Sequence, residues 1–478
     1  MLKLSGLGLG GLFLGGGPKE AFAAASGGGG SNRNSYFKKL KPYEPGKKPL
    51  GADEMRITFL GSWYSPRIAQ SCNSVFVEVG WDSNKGVPKD QFIFDCGTGV
   101  VAKYFAMGIP LSRMDKIFFT HIHGDHMSDL THIYCFGPAY DRKTPLYVWG
   151  PGRSGLIYRD PDNKISGPYN DGTADYCNLL REAVRWHTES FSFETTALTD
   201  YDLPSWTCPN ATPGAPPSNK KDAYDLVPFE LNWRTVGIDN NVNPTNDNIA
   251  YLNTDTGVKI THFPAVHARQ GAISYKLEWN GLSMIFTGDT KPNYYVVWHA
   301  TKGVDVLIHE MTPPPDVWVE KLAGLYPGDP GYKESLTDMT NVINSSHTVQ
   351  KMYGYILSLL GVRPRLAVGT HFPATDDTIR PALKDIRSYY PKGEVAVATD
   401  FVVITVSKEA IKQRRAVVSD YVWAPPSAPG TATASYDTPK YWTYDVDENG
   451  KQIKVGNPYA QLDPNAKLIP TPDDYDER

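Results

Sequence analysis

Short apolar runs separated by Gly and polar turns dominate the chain from Arg56 onward. They predict strands near 56–60, 74–80, 91–95, 116–120 and 146–149, with a helix from Gly99 to Met107 between the third and fourth. After a long interruption the runs resume near 257–261, 272–278, 283–287, 304–308, 365–369, 395–399 and 402–406. Helical spacing is clearest from His347 to Leu360. Many strands with few helices point to two sheets covered by helices rather than a doubly wound parallel fold.

Outside these runs the pattern changes. Residues 27–54 are mostly Gly, Ser, Lys and Pro and read as linker. The interruption, 155–255, is rich in Tyr, Trp, Pro, Asn and Asp, and holds 15 Asp and Glu against 7 Lys and Arg. A segment of that length reads as a partly ordered cap beside a functional site. Its Trp186, Tyr201, Trp206 and Trp233 suit either an aromatic-lined mouth or a small core of the cap's own. Beyond Lys412 a Pro- and Tyr-rich tail, with Tyr421, Trp423, Tyr436, Tyr441, Trp442 and Tyr444, reads as an extended arm whose aromatics pack on the body. The resulting division is a leader at 1–25, a linker at 26–54, a main domain at 55–410 containing the 155–255 cap, and a C-terminal extension at 411–478.

Composition adds limits. The 478 residues are 41% hydrophobic and 21% charged, as in a globular protein, and the net charge of -4 gives no global attraction to nucleic acid or acidic membrane. Lys3, the Leu/Gly/Phe stretch Leu4 to Gly17 and the small residues Ala21-Phe22-Ala23-Ala24-Ala25 follow the order of a secretory signal. The run is too short to span a bilayer, so a mature chain without a transmembrane segment, periplasmic or secreted, is expected. Its glycines suit a twin-arginine signal, yet no Arg-Arg pair precedes it, as in a truncated start; the alternative is a disordered Gly-rich leader. Of the five cysteines, Cys72, Cys96 and Cys135 flank core-like strands and read as buried thiols, whereas Cys177 and Cys208 lie where an exported protein would tolerate a disulfide.

The chemistry concentrates in Thr120-His121-Ile122-His123-Gly124-Asp125-His126, directly after the apolar Lys116–Phe119 run. Three imidazoles and a carboxylate on one loop repel or desolvate one another unless a cation holds them, and they are the ligand types of zinc-like sites. Alternate side chains of His-X-His-X-Asp-His can face one ion while the last two reach a second. Three further strand ends deliver candidates: His262 and His267 after Val258–Ile260, Asp289 after Ser283–Phe286, and His371 after Leu366–Val368.

With these residues in order the chain resembles the metallo-β-lactamase superfamily, and within it the ribonuclease Z-like branch. Phe59-Leu60-Gly61-Ser62 and Asn73-Ser74 resemble that branch's opening strand and loop. Phe94-Asp95-Cys96-Gly97, Trp149-Gly150-Pro151, His309-Glu310-Met311-Thr312 and Ser346-His347-Thr348 are similar to its later blocks. The likeness covers about 56–407 apart from the insertion. It implies an α/β fold, the αββα metallo-β-lactamase sandwich, with the long cap insertion and extended C-terminal arm added, and a hydrolase with two divalent ions, zinc first and manganese or iron as alternatives. Carried over, His121, His123 and His267 would hold one ion, and Asp125, His126 and His371 the second, with Asp289 bridging. His267 is preferred to His262 because it stands just before Gly271-Ala272-Ile273-Ser274-Tyr275, which matches the strand after the family's third-motif histidine. The resemblance also admits a homodimer.

Two such ions, about 3.5–4 Å apart, can acidify a bound water to a pKa of about 7, so no protein base is strictly required, though Asp125 can orient that water. Expelling an alkoxide is harder without a proton donor. In the resembling family the counterpart of His347 pairs with the Glu of the His-Glu block, here Glu310, which makes His347 the candidate acid; the alternative is that Ser346-His347-Thr348 caps a helix. His309 reads as buried, His132, His187 and His299 as ordinary histidines, and Asp95 as a hydrogen-bond support for the metal loop.

The expected reaction is hydrolysis of a phosphodiester or related ester, such as a sulfate ester, in a small or medium substrate outside the cytoplasm. Alternatives are a tRNA 3′-processing endonuclease, a β-lactamase or lactonase, and a metal-binding protein without catalysis. Against the tRNA reading, and against nucleic acid as a partner, stand Thr98-Gly99-Val100-Val101 in place of the family's Glu-Gly-Thr-Gln, the acidic insertion and the leader.

Overall fold

The computed structural model describes residues 41–140, 142–191, 205–213, 224–234, 248–423, 425 and 444–454. The leader 1–25 lies outside the described residues, as do Tyr201, Tyr436, Tyr441 and Trp442. The first half runs β1 (Met55–Gly61), β2 (Ser74–Asp82), β3 (Val87–Phe94), α1 (Val100–Ala106), β4 (Lys116–Phe118), α2 (Gly124–Met127), α3 (Leu130–Tyr140) and β5 (Leu146–Pro151). The insertion contributes β6 (Tyr158–Arg159), β7 (Ile165–Ser166), α4 (Thr173–Ala183), α5 (Arg185–Phe191), β8 (Trp206–Thr207), β9 (Ala211–Pro213), β10 (Leu226–Leu231) and β11 (Ile249–Asn253). Then come β12 (Val258–Pro264), β13 (Ile273–Trp279), β14 (Leu282–Phe286), α6 (Tyr294–Ala300), β15 (Val306–Glu310), α7 (Pro315–Trp318), α8 (Tyr332–Ser346) and α9 (Gln350–Ser358). The chain closes with β16 (Leu366–Thr370), α10 (Asp376–Tyr389), β17 (Val395–Val397), β18 (Val402–Val406), β19 (Ile411–Arg415) and the hairpin β20 (Tyr444–Val446) and β21 (Gln452–Lys454).

Two mixed sheets result, ordered β19-β18-β1-β2-β3-β4-β5-β10-β9 and β17-β16-β15-β14-β13-β12-β11-β8. β1, β5, β15, β16 and β18 are buried along their whole length, which is why they read as continuous runs. Alternate residues serve different layers. Ile57 and Phe59, Val75 and Val77, Phe92 and Phe94, Val306 and Ile308 face the space between the sheets. Leu60, Phe76 and Ile93 point outward to residues of α1, α3 and α4. Ile285, Leu307 and Ala367 point outward to α6, α9 and α10. The layers are therefore helix, sheet, sheet, helix.

Several boundaries differ from expectation. β19 pairs with β18 through Ile411–Arg415, so the first sheet continues past 410. Within 155–255, β9 and β10 extend the first sheet while β8 and β11 extend the second. Trp206 packs among Tyr147, Trp149, Phe229 and Tyr251 in the inter-sheet core. Trp186 is exposed, and Trp233 stacks on Arg234. The linker reading fails at its end: Tyr43 is buried and bridges to Ala416. Tyr421 and Trp423 of the tail are exposed rather than packed on the body. Cys177 and Cys208 are both free thiols in different cores, the former on the helix-covered face and the latter against Trp149 Nε1, so they form no disulfide. The helices are also more numerous than the strand-dominated pattern suggested. No described helix is long and apolar enough to cross a membrane.

Candidate metal centre

β3, β4 and β5 run parallel, as do β14, β15 and β16, so the C-terminal ends of each set lie together. The candidate residues leave from those ends, the usual place for a site on parallel strands. His121 and His123 sit two apart on extended chain and face the same way. His123 then precedes α2, whose first turn carries Asp125 and His126. From the other sheet come Asp289 beyond β14, Glu310 at the end of β15 and His371 beyond β16, while His267 sits in the loop from β12 to β13. Gly288, at φ 58, permits the join: a Cβ there would lie 2.4 Å from Thr120 Cβ.

Potential ligand atoms of His121, His123 and His267 lie within 4.8 Å of one another, and so do those of Asp125, His126, Asp289 and His371. His371 Nε2 is 3.2 Å from Asp125 Oδ2 and 3.4 Å from Asp289 Oδ2. His267 Nε2 is 3.8 Å from Asp289 Oδ2, so Asp289 stands between the two groups. His262 is elsewhere, buried with its Nε2 against Asn232 O, and His309 is buried with Nδ1 against Glu310 O.

Neighbours fix the rings. Buried Asp95 accepts from Thr120 N and Oγ1 and from His126 Nδ1–H. Because Thr120 Oγ1 donates to Asp95, it can only accept from His121 Nδ1–H, 3.1 Å away. Ser346 O accepts from His267 Nδ1–H at 2.7 Å. All three rings thus present Nε2 to the centre, a tautomer choice set by the far nitrogen's partner. Asp95 and His371 hold left-handed backbones at φ 57 and 56, a strained geometry concentrated at this site.

Electrostatically the cluster is tense. Burial, then the neighbouring His126, holds His121 well below its ordinary pKa. Burial brings His267 down to about 4. Burial would lower His126 too, but Asp125, Asp289 and Asp95 raise it well above the usual value. Two buried atoms at the centre, His126 Nε2 and Asp289 Oδ1, stand 3.3 Å apart, yet neither makes a well-aligned hydrogen bond to the other or to any other described residue. Such atoms are costly to bury unless something satisfies them, and an N/O donor set of this kind suits a zinc-type ion.

His347 stands beside this set. Its Nδ1 is 3.0 Å from Glu310 Oε2 and 3.9 Å from Asp289 Oδ2. Burial would lower its pKa, but the Glu310 carboxylate overrides this and raises it to about 9. The expected helix from His347 does not form there. His347 instead closes α8 in extended conformation, and residues 347–349 run beside Thr312, which exchanges backbone hydrogen bonds with Thr348 and Gln350; α9 starts only at Gln350. Nor do the hydroxyls cap α9: Ser346 Oγ bonds Val342 O, and Thr348 Oγ1 bonds Thr290 O.

A cavity of about 320 Å³ opens over these groups, lined also by Tyr64, Trp318, Leu322, Met339, Val342 and Ile343. None of its described lining comes from 155–255, contrary to the expected cap mouth. The insertion approaches through an Asp171–Arg269 ion pair, two residues from His267. Sequence reasoning missed the α7–α8 wall; Trp318 and the 339/342/343 spacing were its available signal.

Residues 68–134, spanning the His-X-His-X-Asp-His run, match the profile described as "Metallo-beta-lactamase superfamily". Over that stretch the chain is similar to that superfamily. It is 28% identical to a Ribonuclease Z of Treponema denticola over 102 residues, 21% of this chain and 33% of that protein. It is 33% identical to a Ribonuclease BN of Proteus mirabilis over 98 residues, 20% of this chain and 30% of that protein. With a Ribonuclease Z of Natronomonas pharaonis it shares 25% over 264 residues, 54% and 75% of the two chains. The chain thus spans about a third of the length of the first curated relatives it matches. Among solved structures, the metallo-beta-lactamase fold protein YhfI of Bacillus subtilis has a TM-score of 0.42 at 13% identity, covering 74% of this chain and 100% of that one. A human tRNase Z, short form, has a TM-score of 0.41 at 19% identity, covering 73% and 98%. The His/Asp groups stand as the chain's candidate metal-binding residues.

Proposed function

We propose that the chain is a hydrolase that cleaves a phosphodiester or sulfate ester in a small or medium substrate, with His347 protonating the leaving oxygen. The observation that carries this is the His347–Glu310 pair, set 3.9 Å from Asp289 on the edge of a centre where buried imidazoles and carboxylates, His126 Nε2 and Asp289 Oδ1 among them, crowd together without well-aligned hydrogen bonds. His121, His123 and His267 would hold one divalent ion and Asp125, His126 and His371 another, with Asp289 between; zinc, or alternatively manganese or iron, would supply Lewis acidity and an acidified water there. Glu310 engages Nδ1 of His347, so Nε2 is the nitrogen that delivers the proton. Asp125 orients the attacking water. A positioned acid contributes about 10²–10⁴-fold where the leaving oxygen is strongly basic, whereas lactam and lactone opening has less need of one.

The test is a side-by-side assay of bis(4-nitrophenyl) phosphate, an aryl sulfate, nitrocefin and a simple lactone with Zn, Mn and Fe, together with elemental analysis. Turnover of the first two with about two ions per chain is expected. Hydrolysis of nitrocefin alone, or protein that neither holds nor responds to divalent ions, contradicts the proposal. The names of the curated relatives, Ribonuclease Z and Ribonuclease BN, favour a second reading, a ribonuclease; for the tRNA 3′-processing alternative, a labelled pre-tRNA cut at its 3′ end would establish it. Export is part of the proposal and rests on Lys3, the following apolar stretch and Ala21–Ala25; cell fractionation checks it.

A further inference from the structure

We infer that the substrate's leaving group is apolar, an aryl or branched-alkyl alcohol, and that it lies along one face of α8; this rests on the hydrolytic reading above. Met339, Val342, Ile343 and Ser346 line the cavity at helical positions i, i+3, i+4 and i+7, so they form one stripe. The stripe ends at His347, the residue that reaches the leaving oxygen. Whatever is bonded to that oxygen is therefore set down against hydrocarbon.

Two further observations support an organic group there. Val342 of α8 and Leu322 before it are 49% and 60% exposed, while the other exposed positions of α8 are Lys333, Glu334, Thr337, Asp338, Asn341, Asn344 and Ser345, so the apolar residue that α8 opens to solvent is the one over the cavity. The facing wall is aromatic and held in place: Trp63 stacks on Trp318 at 5.4 Å and 14°, and Trp318 Nε1 donates to Thr312 Oγ1. Among the described residues lining the cavity there is no Lys or Arg, so phosphates flanking a scissile bond would meet none of the side chains that usually neutralise them. The cavity, about 320 Å³, is at the small end of ligand pockets and suits one ring with its substituents.

The step balances without a further reactant. Water adds its oxygen to phosphorus or sulfur, and the bond to the leaving oxygen breaks. The electron pair stays on that oxygen, which takes the His347 proton and departs as a neutral phenol or alcohol. The proton released from the water returns His347 to its starting state through solvent.

The experiment compares methyl 4-tert-butylphenyl phosphate with methyl phenyl phosphate, and the corresponding aryl sulfates. Within each pair the leaving oxygens are similarly basic, and only the hydrocarbon on the leaving side differs. The bulkier ester should have a kcat/KM roughly 10–100-fold higher, as added hydrocarbon does in an apolar pocket. Val342→Lys, at a half-exposed position the fold tolerates, should bring that ratio toward one. A ratio near one in the native chain, or an unchanged ratio in the variant, overturns the inference. Calorimetric titration with 4-tert-butylphenol and phenol supplies an arm independent of turnover. If no ester is hydrolysed, the hydrolytic reading falls on its own; tighter binding of the bulkier phenol, lost in Val342→Lys, still supports the aryl-binding face, and equal binding of the two rejects it.

Discussion

His121, His126 and His267 are each anchored through Nδ1, to Thr120, Asp95 and Ser346 in turn, which leaves Nε2 facing the centre. His347 is held in the same way, its Nδ1 against the Glu310 carboxylate, and under the proposal above it supplies a proton. Replacing His347 with Ala should therefore lower turnover of esters with strongly basic leaving oxygens by about 10²–10⁴-fold and change 4-nitrophenolate release far less, with metal content unaltered. Equal losses on both kinds of ester would contradict the acid role. Asp289, standing between the two groups, carries the complementary prediction: Asp289→Ala should lose at least one ion by elemental analysis, and full occupancy would refute a bridging position.

At the scale of elements, the join between the two sheets depends on Gly288, two residues beyond β14, packing against Thr120. Gly288→Ala should destabilise by roughly 2–4 kcal/mol, the sum of a left-handed backbone and an overfilled contact. Gly86→Ala, at φ 69 with open space around it, should lose only about 1 kcal/mol. Urea unfolding of the two variants checks this, and equal losses would remove Thr120 from the account. The strands buried along their whole length were legible because they leave an unbroken run. The metal loop was legible because three imidazoles and a carboxylate crowded into six residues are costly to keep together without a cation. α8 was not legible: its apolar face appears only as spaced Met339, Val342 and Ile343 among Lys, Glu, Asp and Asn. The start at His347 was misplaced because a backbone bridge to Thr312, distant in sequence, competes with helix there. β10 and β11 were hidden for a related reason, being short runs inside an acidic, Pro-rich stretch whose burial comes from strands far along the chain.

Over the whole molecule, buried charge ties stability to pH. Asp400, fully buried beneath Ser62 and Ser71, is pushed up to about 6 by burial, against the pull of Lys103. A carboxyl raised in the folded state binds its proton more tightly there than when unfolded. Its contribution is full below about pH 4 and is lost as pH climbs through about 6, a change of roughly 2–3 kcal/mol. Asp400→Asn cannot titrate, so the stability of the native chain relative to this variant should fall by that amount between pH 4 and 6.5 in urea unfolding; a constant difference would show that the carboxyl titrates normally.

His121, His123, Asp125 and His126 leave one sheet, whereas His267, Asp289 and His371 leave the other. An occupant gripped by both sets would act as a clasp across the sandwich. A chelator would then unfasten the two halves as well as silence the catalyst, and starvation for the ion would be felt first as fragility.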